Sequence, residues 1–477
     1  MDSITVSFLA YTMVIFGFGV YAARFARRTS SDFFLAGRGL GPWLAGLSMS
    51  ASAESGWVTL GLVGMAFHTG VGAFWVLPGT VAAIAFNWWV VGRRLRSVAA
   101  GQKAVTLPDV LAGPFSGRQA RIIRAIAIVI ILSMLTVYVA AQLTAAAKTF
   151  EATFGWPYFV GIAMGAAIVL IYTSLGGFRA VAWTDVLQAT LMILAVTLLP
   201  WVLVTELGGV DAMMFNLAAQ DASLTHPLAE KAGLVLFGFF MLWLGIPFGY
   251  PGQPHVLVRY MAARDDRAIL RGAVISNIWV FVLFFGAVLL GVAARAHYGE
   301  LADAEKALPI VAAELLPGWL AGMMIAAVMA AVCSTADSQL LVSASAISHD
   351  LLQGLFGKHV DERSLLAVHR AAVLLIGLAA ASVAAAEPRV IFHFVLYAWA
   401  GLGAAFGPAL ILLLFWKRTT AQGVAAGMIT GVMTAVIWVE TPALKLLCYE
   451  MIPAFLAAFI AVVMISWMTD RDLAKTG

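Results

Sequence analysis

Long apolar runs recur along the entire chain, and they limit what it can fold into more than any other feature. A helix of about 20 apolar residues crosses a bilayer, and we count thirteen such runs. Hydrophobic residues make up 62% of the sequence and charged residues 11%, a balance that soluble domains of this length do not show. The sequence therefore predicts an all-α integral membrane protein with about 13 transmembrane helices.

The first apolar run, residues 4–24, lacks a basic start and a small-residue cleavage site, so we predict that it is a retained span rather than a signal peptide. The other spans are predicted at 40–66, 72–92, 122–149, 157–176, 181–206, 233–258, 270–294, 317–350, 368–386, 391–415, 420–439 and 447–468. No composition break marks a soluble domain or a linker. We expect one transmembrane domain over residues 1–477.

Basic residues are concentrated in alternate loops between the predicted spans. These loops include Arg24, Arg27, Arg28 and Arg38, then Arg93, Arg94 and Arg96, then Arg259, Arg264, Arg267 and Arg271, and later Lys358 and Arg363. Cytoplasmic loops of membrane proteins carry such an excess. The pattern predicts a multi-pass protein of the cell membrane with its N-terminus outside and its C-terminus in the cytoplasm.

Two of the predicted spans are interrupted at mid-membrane depth. The span 40–66 contains the small, polar stretch from Ser50 to Trp57 with the carboxylate of Glu54, and the span 233–258 contains Pro247, Pro251 and Pro254. Prolines remove backbone donors, and such backbone is tolerated in a membrane only where it is buried or lines a cavity. For the first interruption alone, a tight helix–helix contact through small residues is the alternative. The two interruptions lie five spans apart, as in transporters built from two inverted repeats.

The span 317–350 carries hydroxyl groups on one helical face. Ala331, Ser334, Thr335 and Ser338 share that face, and Asp337 borders it. Hydroxyl, carbonyl and carboxylate oxygens suit an alkali cation, whereas the alternative is that the hydroxyls bond back to their own helix. Asp185 lies near the cytoplasmic start of the span 181–206, and a simple charge at a helix N-terminus is the alternative interpretation. If Asp185 and Asp337 face each other, one must be protonated or a cation must lie between them.

The second interruption carries groups that could contact a small polar solute. Tyr250, Gln253 and His255 surround it, and Tyr138 in the span 122–149 is a further candidate. Tyr138 could instead be a packing residue, and His255 is either a proton carrier or structural. The sequence contains no nucleophile–base pair, and it lacks a P-loop lysine that would indicate ATP-driven transport. Cys333 and Cys448 lie in apolar runs, which disfavours a disulfide or a zinc site. Because these features disfavour ATP-driven transport, we expect an ion gradient to supply the energy for transport.

Several stretches resemble the sodium/solute symporter family, and within it the sodium/proline symporters most. They are Leu35–Pro42, Ser55-Gly-Trp57, Ala182-Trp-Thr-Asp185, Gly249–His255, Ser334–Leu341 and Tyr397–Pro408. The resemblance implies a LeuT-like core of two inverted five-helix repeats. The repeats would cover residues 40–206 and 233–415, with an extra helix at 4–24 and two extra helices at 420–468.

The resemblance also implies site residues. The sodium site would use carbonyls of Ala51, Glu54 and Ala331 and hydroxyls of Ser334 and Thr335. A second cation site, known in some members, would fall at Asp185, Ser334, Asp337 and Ser338. The solute would be held by Ser55, Gly56, Trp57, Tyr138, Tyr250 and Pro254, with Ile246 and Gln253 as further candidates.

The chain departs from the proline symporters at three positions close to these stretches. Ala53 stands where they have an aspartate, and Glu54 where they have a methionine. Ile246 replaces a tryptophan of their substrate site. Glu54 either does the work of the missing aspartate or changes the coupling ion, and the change at Ile246 concerns the identity of the solute.

Together these features predict sodium-coupled secondary symport by alternating access. The solute would be an amino acid such as proline or another carboxylate-bearing molecule, because free amides at the first interruption could receive a carboxylate. The alternatives are a proton-coupled symporter that uses Glu54, and a non-transporting membrane sensor with the same fold. We expect sodium as the bound ion, no enzymatic reaction, no nucleic-acid partner and no obligate protein partner.

Overall fold

The computed structural model describes residues 3–23, 34–228, 230–357, 361–386, 390–445 and 447–473. Within these ranges the regular structure is helical, apart from an isolated bridge between Leu40 and Ala263. Ten of the described helices are long and apolar enough to cross a membrane. The predicted all-α membrane fold is confirmed at this level. Arg24, Arg27, Arg28 and Lys358 of the predicted basic loops lie outside the described residues.

The helices follow one another with short connections. In chain order they are Ser3–Ala23, Pro42–Ala53, Trp57–Leu62, Val63–Thr69, Val76–Phe86, Asn87–Gly92, Arg93–Gly101, Leu107–Ala112, Gly117–Phe154, Tyr158–Glu206, Val210–Gln220, Gly233–Gly245, Pro254–Ala262, Asp266–Tyr298, Ala307–Leu315, Gly318–Ser345, Ala346–Leu355, Glu362–Ala386, Ile391–Phe415, Ala421–Glu440, Pro442–Lys445 and Met451–Leu473. Short 3₁₀ segments at Ala36–Arg38, Gly70–Trp75, Ala222–Thr225, Ile246–Gly252 and Ala304–Lys306 complete the order.

The helix Gly318–Ser345, here called the serine helix, lies at the centre of the molecule. It packs against Ser3–Ala23, Gly117–Phe154 and Tyr158–Glu206, and nearly all of its residues from Ala321 onward are buried. A helix that is enclosed on all sides can carry polar groups only if they find partners within the protein. Its hydroxyl groups must therefore be satisfied by neighbouring helices or by a bound ligand.

The two interrupted spans are separate half-helices in the structure. The first broken helix consists of Pro42–Ala53 and the helical stretch from Trp57 to Thr69. The second consists of Gly233–Gly245, the 3₁₀ segment Ile246–Gly252 and Pro254–Ala262. Proline begins one half of each, at Pro42 and Pro254, where its missing N–H costs nothing.

The structure differs from the predicted spans and loops in four places. The predicted loop after Arg93 is largely helical, as Arg93–Gly101 and Leu107–Ala112, and the polar segment 207–232 contains the helix Val210–Gln220. The prediction that Arg259 lies in a charged loop is wrong, because the half-helix Pro254–Ala262 continues beyond it. Arg259 is fully buried, which requires the paired partners described below. The predicted turn between the spans 157–176 and 181–206 is a kink at Gly177, with φ 60°.

Candidate functional site

The first broken helix ends at Ala53 because Glu54 leaves the helical conformation, with φ −100° and ψ 90°. Helical geometry resumes after Ser55 in a wide π-helical turn that starts at Trp57. The last carbonyl groups of a helix have no partner within it, and together they form the negative end of its dipole. The interruption therefore places free carbonyl oxygens and a partial negative charge inside the protein.

Hydroxyl groups of the serine helix meet these carbonyls. Ser334 Oγ donates to the carbonyl of Ala51 at 2.8 Å and approaches the carbonyl of Ala331 at 3.2 Å. Thr335 Oγ1 donates to the carbonyl of Ser52 at 3.1 Å. All of these residues are buried. The result is a compact group of neutral oxygen atoms at the negative end of a half-helix, here called the oxygen cage.

The predicted ion ligands are mostly neighbours in this arrangement. Ala51, Ala331, Ser334 and Thr335 belong to the oxygen cage, and Glu54 follows it directly in the chain. The backbone N–H of Glu54 donates to the carbonyl of Ser50 at 2.9 Å. The carbonyl that Thr335 contacts is that of Ser52, which the sequence had not singled out.

The side chain of Glu54 joins the two interruptions. Tyr250 Oη donates to Glu54 Oε1 at 2.6 Å, and both side chains are buried, with 2% of each exposed. Tyr250 lies in the 3₁₀ segment of the second broken helix. A carboxylate from one interruption is thus held by a phenol from the other, across 196 positions of sequence.

The second interruption is organised by Trp399, a residue that the sequence had not assigned to the site. Its indole Nε1 donates to the carbonyl of Ile246 at 2.8 Å, and its own carbonyl accepts from Gln253 Nε2 at 3.0 Å. Its ring meets the ring of Tyr250 edge-on at 4.9 Å. A Cβ atom at Gly249 would lie 1.9 Å from the indole nitrogen, so only glycine permits this approach.

The other predicted solute residues are distributed around the two interruptions. Trp57 stacks on Phe392 with ring centroids 5.4 Å apart, and Tyr138 meets His255 edge-on at 5.8 Å. Pro254 lines a small cavity that Arg259 also lines.

The amide groups after the first interruption have partners within the protein. The N–H of Gly56 donates to Gln142 Oε1 at 3.0 Å, and the N–H of Trp57 donates to the hydroxyl of its neighbour Ser55 at 3.0 Å. The expectation that these amides are free for a carboxylate is therefore wrong at both positions. A carboxylate that binds there must displace the amide of Gln142 or the hydroxyl of Ser55.

The predicted second cation residues also lie together. Ser338 Oγ donates to the carbonyl of Ser334 at 2.9 Å and contacts Asp337 Oδ1 at 3.1 Å. The hydroxyl of Ser52 lies 3.0 Å from Ser338 Oγ and 3.3 Å from Asp185 Oδ2. The guanidinium group of Arg259 lies in the middle of this group, 3.1 Å from Asp185 Oδ2.

One further group of acidic and histidine side chains could share a metal ion among the residues that the structure describes. It consists of Asp109, His349 and Asp350. Arg124 forms an ion pair with Asp109 and lies 3.9 Å from Asp350, so a fixed positive charge is already present. Burial would raise the pKa of Asp109, but contacts with His349 and Arg124 outweigh it and hold that pKa well below its usual range. The group is best explained as an ion-pair network.

The comparisons with known proteins agree with this architecture. A model described as the sodium:solute symporter family matches residues 33–431, a range that includes both broken helices and the serine helix. The chain belongs to the sodium:solute symporter family. The prediction from the sequence motifs is thereby confirmed.

Two relatives match over nearly their whole length. The chain is 36% identical to a sodium/proline symporter of Escherichia coli strain K12 over 472 residues, covering 97% of this chain and 92% of that one. It is 35% identical to a high-affinity proline transporter of Bacillus subtilis strain 168 over 466 residues, covering 96% of both chains. Both relatives are transporters by name.

The fold recurs in solved structures of low sequence identity. A substrate-bound, outward-open structure of a Na⁺-coupled sialic acid symporter superposes with a TM-score of 0.83 at 18% identity, covering 98% of both chains. The closed conformation of Mhp1, a nucleobase-cation-symport-1 family transporter, gives a TM-score of 0.57 at 14% identity, covering 94% of this chain and 96% of that one. These likenesses establish the helical fold of this family member.

Proposed function

We propose that this chain is a sodium-coupled secondary symporter of a small, carboxylate-bearing organic solute, working by alternating access. The contact of Ser334 and Thr335 with the carbonyls of Ala51 and Ser52 carries the proposal. It gathers neutral oxygen atoms from two helices at the negative end of a half-helix. Oxygen ligands of this type suit a hard cation, and the half-helix dipole favours positive charge there.

The sodium ion would be held by the carbonyls of Ala51, Glu54 and Ala331 and by the hydroxyls of Ser334 and Thr335. A hydroxyl has one proton and two lone pairs, so Ser334 and Thr335 can rotate and turn lone pairs towards an ion. The 2.8 Å and 3.2 Å contacts of Ser334 Oγ support this assignment, because they place three of the five ligand oxygens side by side.

Proline is the first solute to test, because the relatives described above are named for it. The solute would be enclosed by Ser55, Gly56, Trp57, Tyr138, Ile246, Tyr250, Gln253 and Pro254. Small-molecule sites have apolar walls. Here these walls would be aromatic rings from three different helical segments, those of Trp57, Tyr138 and Tyr250. Ile246, whose side chain is smaller than an indole, leaves room for a solute larger than proline.

The finer architecture also belongs to this proposal. Grouping the half-helices of the described residues, and dividing Tyr158–Glu206 at the Gly177 kink, supports an arrangement of thirteen spans. Residues 40–206 and 233–415 would form two inverted five-helix repeats, each starting with a broken helix. The basic loops support an orientation in a plasma membrane with the N-terminus outside and the C-terminus in the cytoplasm.

Uptake into reconstituted vesicles tests the function. Purified protein is given an inward sodium gradient without a pH gradient, and then the reverse, with radiolabelled proline and competing amino acids and organic acids. We expect concentrative uptake with the sodium gradient alone. Uptake driven only by the pH gradient, and abolished in Glu54→Gln, would establish proton coupling instead. Solute binding without any uptake would indicate a sensor.

A further inference from the structure

Arg259 has no solvent exposure and is held entirely by oxygen atoms of neighbouring groups. Its Nη2 lies 2.6 Å from Ser338 Oγ, 2.6 Å from Ser52 Oγ and 3.1 Å from Asp185 Oδ2. Its Nε donates to Ser48 Oγ at 3.1 Å, and its Nη1 donates to the carbonyl of His255 at 2.5 Å. A buried charge persists only with such a complete set of partners.

The surroundings of Nη2 resemble those of a small bound cation. Three oxygen atoms, from Ser52, Ser338 and Asp185, lie within 3.1 Å of this one nitrogen. A guanidinium NH₂ group has two hydrogens, so it cannot donate to all three oxygens along good hydrogen-bond directions. The three oxygens therefore surround Nη2 as they would surround a small cation, instead of each accepting its own N–H bond.

That point coincides with the predicted second cation site. Asp185 and Ser338 are two of the four residues expected to bind a second cation, and Ser338 also contacts the other two, Ser334 and Asp337. An ion that used Asp185 Oδ2 and Ser338 Oγ would have to occupy the volume of the Arg259 guanidinium group. At such short distances two positive charges repel strongly inside a protein.

The guanidinium group is also enclosed on its outer side. The cavity beside Arg259 and Ser338 has a volume of about 30 Å³ and leads towards Thr106 and Asp350. Phe178 covers the guanidinium carbon at 5.0 Å from its ring centroid. The hydrogen bonds to Ser52, Ser338 and Asp185 and the cover of the Phe178 ring hold the guanidinium group in this position.

We propose that Arg259 is a tethered cation that occupies the second cation site of this chain and restricts coupling to one sodium ion per solute. The inference rests on the proposed function, since it concerns how many ions a symport cycle uses. Arg259 supplies from within the protein the positive charge that Asp185 needs, so that the oxygen cage remains the place for a transported ion. Removing the guanidinium group would open the Asp185 position to a second sodium ion.

Ion counting on purified protein and in vesicles tests this. Saturation binding of ²²Na⁺ gives the number of bound ions, and the solute gradient that balances a fixed sodium gradient gives the coupling ratio. We expect one sodium ion in the wild type, two in Arg259→Gln, and one again in Arg259→Gln combined with Asp185→Asn. Arg259→Lys keeps the charge and should still bind one.

The controls separate folding from ion binding. Asp185→Asn alone should leave the count at one, because Asp185 holds Arg259 rather than sodium in the wild type; a loss of sodium binding there would refute the proposal. Two sodium ions in the wild type, or one in a folded Arg259→Gln, would also refute it. The double variant removes both charges, so one sodium ion there would show that the second ion in Arg259→Gln depends on the carboxylate of Asp185. If Arg259→Gln does not fold, the wild-type count and the Asp185→Asn count still test the proposal. Absence of saturable sodium binding and of sodium-driven uptake in the wild type would instead refute the proposed function.

Discussion

Replacing Thr335 by valine tests the oxygen cage with little change in shape. Thr335 is fully buried, and its Oγ1 donates to the carbonyl of Ser52 at 3.1 Å. Valine has nearly the same volume as threonine but no hydroxyl group. The substitution thus removes one oxygen from the cage and leaves the carbonyl of Ser52 without its donor from the serine helix.

The loss of the donor to the Ser52 carbonyl and the loss of an ion ligand have separate magnitudes. A buried polar group that loses its partner costs about 1–3 kcal/mol of stability, which should lower the unfolding temperature in the absence of sodium. A contact with a charged partner contributes about 1.5–3 kcal/mol. Since 1.4 kcal/mol corresponds to tenfold in affinity, the sodium concentration for half-maximal uptake should rise roughly 10- to 150-fold.

The assay measures that concentration in proteoliposomes at saturating solute, together with the stabilisation by sodium in a thermal unfolding experiment. Thr335→Ser should retain near wild-type sodium affinity, because it keeps the hydroxyl. Ser345→Ala is the matched control on the same helix, since the Ser345 hydroxyl donates to the carbonyl of Val342 in its own helix at 2.7 Å. Unchanged sodium affinity in a folded Thr335→Val would refute Thr335 as an ion ligand.

Three further substitutions test the solute side of the site. Trp57→Ala should raise the apparent Michaelis constant for the solute more than the sodium requirement, as measured by uptake kinetics; equal changes in both would indicate that Trp57 only packs. Ile246→Trp should shift preference towards proline in competition uptake, because the indole refills space that the proline symporters fill, and an unchanged ranking would contradict this. Tyr250→Phe removes the donor to Glu54 at 2.6 Å, so its effect on solute affinity should be non-additive with that of Glu54→Gln by about 0.5–3 kcal/mol; simple additivity would show that the contact is absent in the working protein.

The parts of the site that the sequence predicted are those with a local signal. Glycine and proline residues near Tyr250 predict the interruption of the second broken helix, because their effect on a helix is confined to neighbouring residues. The shared face of Ser334, Thr335 and Ser338 follows from helical spacing alone. The atoms that these hydroxyls contact cannot be predicted from that spacing. The carbonyls of Ala51 and Ser52 belong to residues 283 positions away, and only the packing of the helices brings them into contact.

Arg259 was misplaced because a charged residue near the end of a span usually lies in a loop. Its burial depends on Asp185, Ser48, Ser52 and Ser338, which belong to three other helices. A partial signal was present in the sequence: Ser48 and Ser52 are four residues apart, so they lie on one face of the half-helix Pro42–Ala53. Two hydroxyls on one face of a buried helix require a polar partner, although the spacing does not identify it.

Ser52 connects the oxygen cage with the Arg259 group. Its carbonyl accepts from Thr335, while its hydroxyl contacts Ser338 and receives a hydrogen bond from Arg259 Nη2. Both contacts are made by the same residue at the end of the half-helix Pro42–Ala53, so a shift of one affects the other. On the far side of the interruption, Glu54 ties the same chain segment to Tyr250 of the second broken helix. An ion that pulls the carbonyl of Ser52 or turns the hydroxyl of Thr335 thus acts on the contacts that fix the two broken helices relative to each other. The contacts of Ser52 thus join the oxygen cage of the first broken helix to Arg259 in the second broken helix.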